Sequence, residues 1–507
     1  MFKGHPKGLI AAALANMGER FGFYTMMAIL VLFLQTKFNL NPSEAGAIYS
    51  TFYFGIYILA LVGGIIADRT KKYKATIFSG IVLMAVGYVI LSIPSPTPVP
   101  EAGYTFALVL SCFALFVIAF GNGLFKGNLQ ALVGQMYDDP KYAAKRDSGF
   151  QLFYMFINVG AIFAPLLAVG IRNWWVQSQG FLYDQSLPDI CNRFVSTGGA
   201  EGGDRLVEFA NQFGYAGTDM MAFANEYLNV FTQGFNYAFA AAIAAMAISL
   251  IIYIVNAKRF PDPAAKKAAS ADNSNAVQMS AQEIRQRLYA LFAVFGVVIF
   301  FWFSFHQNGL TLTFFAKDYV DLSAIRLDLG FVELVGAELF QSFNPLFVVC
   351  LTPVVMAIFG WLSAKGKEPS TPKKIAIGMG IAALGFVVMA LGSIGLPTRA
   401  EAIATGYAPS VTPWLLVGTY FILTVAELFI SPLGISFVSK VAPPHLQGLM
   451  QGLWLCATAI GNQLLFIGAI FYDSISMTAT WSIFVGACCI SMIAMLAMVK
   501  WLERVTK

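Results

Sequence analysis

The 507 residues predict an all-α integral membrane protein: twelve transmembrane helices in two six-helix bundles, with an enlarged extracytoplasmic loop between helices 5 and 6. Three observations carry this. The chain is 58% hydrophobic and only 12% charged, with 46 phenylalanines, too apolar for a water-soluble globule. Apolar runs of about 20 residues recur, the length a helix needs to cross a ~30 Å hydrocarbon core while satisfying its own backbone. A polar stretch at 257–287 divides these runs six and six.

In chain order, the first run follows Lys3 and Lys7 and imitates a signal peptide. Glu19 and Arg20 interrupt it and the apolar pattern continues to Leu34, so it reads as an uncleaved first span. Further spans are expected near 46–67, 75–93, 104–125 and 150–171. A long insertion, 172–234, comes next. Within it Asp204 to Tyr227 carries apolar residues at helical spacing around Gly214 and Gly217, which predicts short surface helices in a structural insertion. A sixth span at 235–256 closes an N-terminal domain, residues 1–256. The Ala, Lys, Asp, Ser and Asn content of 257–287, opened by Pro261 and Pro263, is that of a linker, and Ser280 with Glu283 has the spacing of a capping box that starts the next helix. Spans near 289–315, 340–363, 373–395, 412–439, 448–471 and 479–501 make a second domain, 288–507.

Basic residues set the orientation. Lys37, Arg172, Arg193, Arg205, Lys317, Arg326 and Arg399 fall on one side; the others, apart from Arg20 and Lys126, fall on the side of the termini and linker. By the positive-inside rule that side is cytoplasmic. The formal charge of +5 gives no argument for nucleic acid. Five of six cysteines fall in spans, leaving Cys191 as the one loop cysteine, so no disulfide framework is expected. The chain has no P-loop pattern, which argues against a nucleotide-driven pump, and no HExxH pattern and no convincing nucleophile and base pair in the spans, which argues against an intramembrane enzyme.

Five ionisable residues lie inside predicted spans: Glu19, Arg20, Lys126, Glu427 and His306. A charge at membrane depth costs ~3 kcal/mol on insertion scales, so such residues face a wet cavity or a partner and mark pathways, unless they only tie helices together. Asn158, Gln341, Asn344, Tyr24, Tyr57 and Tyr154 add hydrogen-bonding groups, with interhelical packing as the plain alternative. Trp302 and Trp454 lie well inside spans rather than at an interface belt.

Several motifs among these residues resemble the proton-dependent oligopeptide transporter family of the major facilitator superfamily. Phe153 to Gly160 fits its FYxxINxG signature and follows GNGLFKGN, close to its GNGxFKPN pattern. Phe340 to Leu346 is similar to its FQSxNPLF, Glu368 to Pro372 to its EPSTP, and Glu427 to Gly434, which includes Ser431, to its ELxxSPxG. Gly64 to Lys74 resembles the superfamily's basic cytoplasmic loop.

The resemblance implies a major facilitator fold and proton-coupled symport of di- and tripeptides by alternating access, without a cofactor, in a monomer. It also implies roles. Lys126, with Arg20 and Tyr24, would take a peptide's carboxylate; Asn158, Asn344 and Glu427 its amino end; Phe23, Tyr57, Trp302 and Trp454 its side chains; Tyr154 and Ser431 belong to the same motifs. Glu19, Arg20, Lys126, His306 and Glu427 would serve proton coupling. The first-span motif ExxERFxYY departs here, with Asn16 for the first glutamate and Phe23 for the first tyrosine, and Met27 stands where an arginine is common. His306 stands where the family has an acid. Either Glu19 and His306 carry the proton instead, or coupling, and cargo with it, is altered. Amino acids, nitrate or peptide-like compounds are the alternative cargoes, and a transport-inactive peptide sensor is the alternative class. The predicted outer loops lack an Asn-x-Ser/Thr acceptor, which favours a bacterial inner membrane.

Overall fold

The computed structural model describes residues 4–137, 139–143, 145–261, 280–443 and 446–505. Among them are twelve helices long and apolar enough to cross a membrane: Lys7–Phe38, Pro42–Thr70, Tyr73–Ser92, Glu101–Gln135, Gly149–Ser178, Met220–Val255, Ala281–Tyr319, Ala337–Ala364, Thr371–Gly392, Pro413–Val438, Leu449–Ser474 and Met477–Val505, here spans 1 to 12. Odd spans run from the face that holds both termini to a far face, and even spans return. Turn chemistry fixes these reversals. Asn41 accepts from the Glu44 amide while Glu44 accepts from the Asn41 amide, and Pro42 sits in the first turn, so only three residues separate spans 1 and 2. Span 7 starts as the sequence predicts, with the Ser280 hydroxyl accepting from the Glu283 amide. Of the predicted linker, 262–279, with Lys266 and Lys267, lies outside the described residues, as do Lys3 and Lys507.

Spans 1 to 6 pack mainly on one another, and spans 7 to 12 likewise, with spans 2 and 5 touching spans 11 and 8 between the halves. Span 1 is the pillar of its half, lying against spans 5 and 6, and 89% of its most apolar stretch is buried, against none for span 8. Glycine lets spans 2 and 4 come together. A Cβ on Gly63 would lie 2.1 Å from the Gly123 carbonyl oxygen, so backbones touch where side chains usually stand.

Three expectations are corrected. Span 5 continues to Ser178 and span 6 already starts at Met220, so the insertion shrinks from 172–234 to the segment between them. The early start has a local cause: Asp219 caps the helix by accepting from the Met221 and Ala222 amides, and Phe223, Tyr227 and Phe231 pack with Phe181 and Phe213 into one aromatic cluster. The insertion does hold short helices, Leu187–Ser196 and Gly203–Gln212, but the second predicted run is the first turns of span 6. Third, Arg172 is no loop residue. It is fully buried in span 5 and ion-paired to Glu338 at the start of span 8, with the Tyr183, Phe231 and Phe235 rings around its guanidinium.

That pair is part of a seal between the halves at the far face. Asn173 donates to the Glu333 and Val335 carbonyls (2.7 and 2.9 Å), and Gln341 donates to the Ala28 carbonyl (3.3 Å). The insertion crosses over as well. Asp189 pairs with Lys317 of span 7 at 2.6 Å, Gln185 donates to the Lys317 and Val320 carbonyls (2.6 and 3.0 Å), and Arg193 donates to the Ile403 carbonyl (3.2 Å). Burial alone would push the Asp189 carboxyl up, but Lys317 and then Arg399 outweigh it and hold it below the usual carboxylate range. Apolar periodicity does not announce a short antiparallel hairpin, Leu327–Asp328 with Glu333–Leu334.

Candidate functional site

Gln341 belongs to the far-face seal, whereas the ionisable residues expected inside spans face the region between the halves. On the first half, Glu19 and Arg20 satisfy each other, with Arg20 Nε and Nη2 donating to Glu19 Oε2 and Oε1 at 2.5 and 2.7 Å. Asn122 of span 4 donates to Glu19 Oε1 at 2.7 Å. Arg20 also lies 4.7 Å over the Phe23 ring. The sequence offers this arginine to a substrate carboxylate; the structure already gives it one, from its own chain. Glu19, expected to carry protons, is fully buried within that pair.

Lys126 is different. It sits one helical turn after Asn122 on span 4, and its ammonium lies 4.7 Å from the centroid of the Tyr57 ring. No carboxylate pairs with it among the described residues. An ammonium so placed keeps donors for an anion, with the aromatic face offsetting part of its desolvation. On the second half Asn344 donates to Glu427 Oε2 at 2.8 Å and to the Thr424 hydroxyl at 3.1 Å, and no cation pairs with Glu427 among the described residues. Tyr24 and Tyr57 lie within electrostatic range of both Arg20 and Glu427. The site therefore holds an unpaired cation on span 4 and an unpaired carboxylate on span 10.

The remaining candidates divide. Tyr154 is 45% exposed and Asn158 and Ser431 are partly exposed, with the Asn158 amide turned back on the Tyr154 carbonyl at 3.1 Å. Phe23, Trp302 and Trp454 are buried in packing rather than lining open space. Trp454 lies on Gly434, where a Cβ would come within 2.1 Å of the indole, so that glycine of the ELFISPLG run makes room for the ring.

His306 sits where span 7 breaks. The α-helix from Ala281 ends at Phe305, a 3-10 turn covers His306–Gly309, and helix resumes at Thr311. The imidazole stacks on Trp302 (centroids 4.8 Å, 22° between planes), its Nδ1 hydrogen-bonds Oδ1 of Asn462 on span 11, and the Tyr53 ring of span 2 lies 4.9 Å away. Asn122, Asn462 and Tyr53 are not among the residues singled out from sequence. The signal for the two asparagines is present, since each is an amide inside an apolar run, as Asn158 is; Tyr53 lies one turn from Tyr57 on the same face.

Comparison with known proteins gives the family. A family model described as the POT family matches residues 74–282 and 265–482. A peptide transporter, YePEPT, of Yersinia enterocolitica subsp. palearctica serotype O:3 (strain YE-P4) is 29% identical over 91% of this chain and 87% of that protein. Dipeptide and tripeptide permease B of Xenorhabdus bovienii (strain SS-2004) is 27% identical over 99% of this chain and 96% of its own. A crystal structure of peptide transporter POT in complex with sulfate covers all of this chain and 96% of that one, with a TM-score of 0.72 at 24% identity, and sets the fold as that of its class. The chain is a multi-pass integral membrane protein and a member of the POT family of transporters.

Proposed function

We propose that this protein is a proton-coupled symporter of di- and tripeptides, working by alternating access. One observation carries the reading: Lys126 and Glu427, on opposite halves, are each without an ionic partner among the described residues. A peptide zwitterion supplies both missing charges. Its carboxylate meets the Lys126 ammonium, its amino group meets Glu427 with Asn344 and Asn158 as hydrogen-bonding neighbours, and recognition of the two ends leaves the side chains free to vary. Arg20 acts one step back, holding Glu19 beside Lys126 as a fixed neutral pair. Relatives named as a peptide transporter and a dipeptide and tripeptide permease support the cargo class.

In this reading the termini face is cytoplasmic, the membrane is a bacterial inner membrane, and one chain transports alone. The far-face seal then makes this the inward-facing form, and rocking of the halves about the site exposes it outward. The proton supplies the drive, with His306 as the coupling group in place of the family's acid. One translocated charge is worth about 2.3 kcal/mol per 100 mV, which sustains a gradient of about 40-fold in a neutral zwitterion.

Proteoliposomes with an inward proton gradient test this. Lys126→Ala and Glu427→Ala should each lower apparent dipeptide affinity about 10- to 100-fold, the worth of one charged hydrogen bond of roughly 1.5–3 kcal/mol. Wild-type uptake in either variant refutes two-ended recognition. A second reading, single amino acids as cargo, is favoured by His306 in the acid's position; competition by an amino acid equal to that by a dipeptide would select it.

A further inference from the structure

We propose that Tyr53 and Asn462 are positioning residues that make proton binding at His306 depend on whether the far face is closed. The inference rests on the reading of His306 as the coupling group. Asn462 belongs to the same half as His306, and its Oδ1 faces Nδ1, so Nδ1 carries the proton and Nε2 is left as the basic atom. Among the described residues Nε2 has no hydrogen-bond partner. Both residues are almost wholly shielded from solvent, His306 at 7% and Asn462 at 0% exposure.

Tyr53 belongs to the other half. Its ring and that of Trp302 lie 4.9 and 4.8 Å from the imidazole centroid. Both are aromatic faces suited to a cation, but only Trp302 travels with His306. Tyr53 stands on span 2, which packs on span 11 of the other half, so parting of the halves at the far face carries it away from the imidazole. The other groups around His306 are Phe305 of its own span, Tyr49 and Tyr57 flanking Tyr53, and Lys126 of span 4, the formal charge that acts on it. A proton on His306 therefore gains a contact in the closed form that the open form lacks. Burial and the Lys126 charge oppose that proton in the closed form, and the Tyr53 contact offsets part of the opposition; by linkage the contact tilts proton binding toward closure, and closure toward the proton, by the same factor. One such contact is worth about 2- to 30-fold.

The test combines pH profiles of dipeptide uptake with far-face distances between spin labels at Ser178 and Leu329, both exposed and on opposite halves. The ratio of short to long distance is read at pH 8 and at pH 5 in the unaltered protein and in each variant. Tyr53→Leu should lower the short-to-long ratio at pH 5, taken relative to pH 8, about 2- to 30-fold against the parent and move the midpoint of the uptake profile to lower pH, while Tyr53→Phe, which keeps the ring, should match the parent. Asn462→Leu should displace the midpoint as well. If it does not fold, as judged by loss of peptide counterflow, the Tyr53 pair decides alone. Parental profiles in both Tyr53→Leu and a folded Asn462→Leu overturn the inference while leaving His306 as coupling group. A parental profile in His306→Gln removes that reading and the inference with it.

Discussion

Glu338→Gln should open the far face. The substitution keeps the shape of the side chain but removes the carboxylate that neutralises Arg172, and both side chains are fully buried. Leaving one member of a buried pair uncompensated costs about 3–5 kcal/mol. The lower end applies here, because Arg172 keeps Asn173 Oδ1 at 3.0 Å and the three surrounding rings. The cost falls on the closed form alone, since parting of the halves lets water reach the guanidinium. About 3 kcal/mol lowers the closed-to-open ratio roughly 100-fold. Spin labels at Ser178 and Leu329, in a background freed of the six native cysteines, read this directly as a growing long-distance population in liposomes. The double variant Arg172→Met/Glu338→Leu should return most of the closed form, because replacing a buried pair by apolar groups is close to neutral. Unchanged distances in Glu338→Gln and in Arg172→Met alike would show that the pair does not hold the gate.

Two further outcomes follow from other contacts. Asp189→Asn should loosen the insertion over span 7, so that limited trypsin cleavage at Arg193 and Arg205 accelerates several-fold. Because the Asp189 carboxyl titrates below its unfolded value near 4, its stabilisation is complete above that value and lost only as pH falls below it; cleavage rates, each divided by that of a denatured control at the same pH, should be equal at pH 5.5 and 7.5. Gly63→Ala forces the Gly123 backbone away from span 2 and should destabilise the first half by about 1–3 kcal/mol, visible as a lowered Tm in detergent; an unaltered Tm would show that spans 2 and 4 separate freely.

The twelve spans were legible because each is an apolar run long enough to need no partner for its backbone, and the Ser280 cap because its donors are local. What escaped is what depends on distance along the chain. Arg172 looked like a loop residue at the end of an apolar run, and its partner Glu338 lies 166 residues away. Glu19 and Arg20 stood out as charges, but neighbours on a helix point about 100° apart and are not expected to pair; their long side chains turn back on one another at the cavity wall. The same blindness affects aromatic residues. Nothing local separates Phe23, Trp302 and Trp454, which are buried in packing, from Tyr154, which is 45% exposed, since all read as rings inside spans.

The self-neutralised Glu19–Arg20 pair has an electrical consequence. Span 1 carries no net charge through the membrane field at that level, and Arg172 with Glu338 adds none. Among the described residues the charges left in the site are Lys126 and Glu427, which cancel, so in the proposed mechanism the empty carrier reorients with no net charge at the site. A zwitterion adds nothing to that sum. A proton adds one unit, so the voltage acts on the loaded passage alone, at about 2.3 kcal/mol per 100 mV, and the return of the empty carrier is indifferent to it.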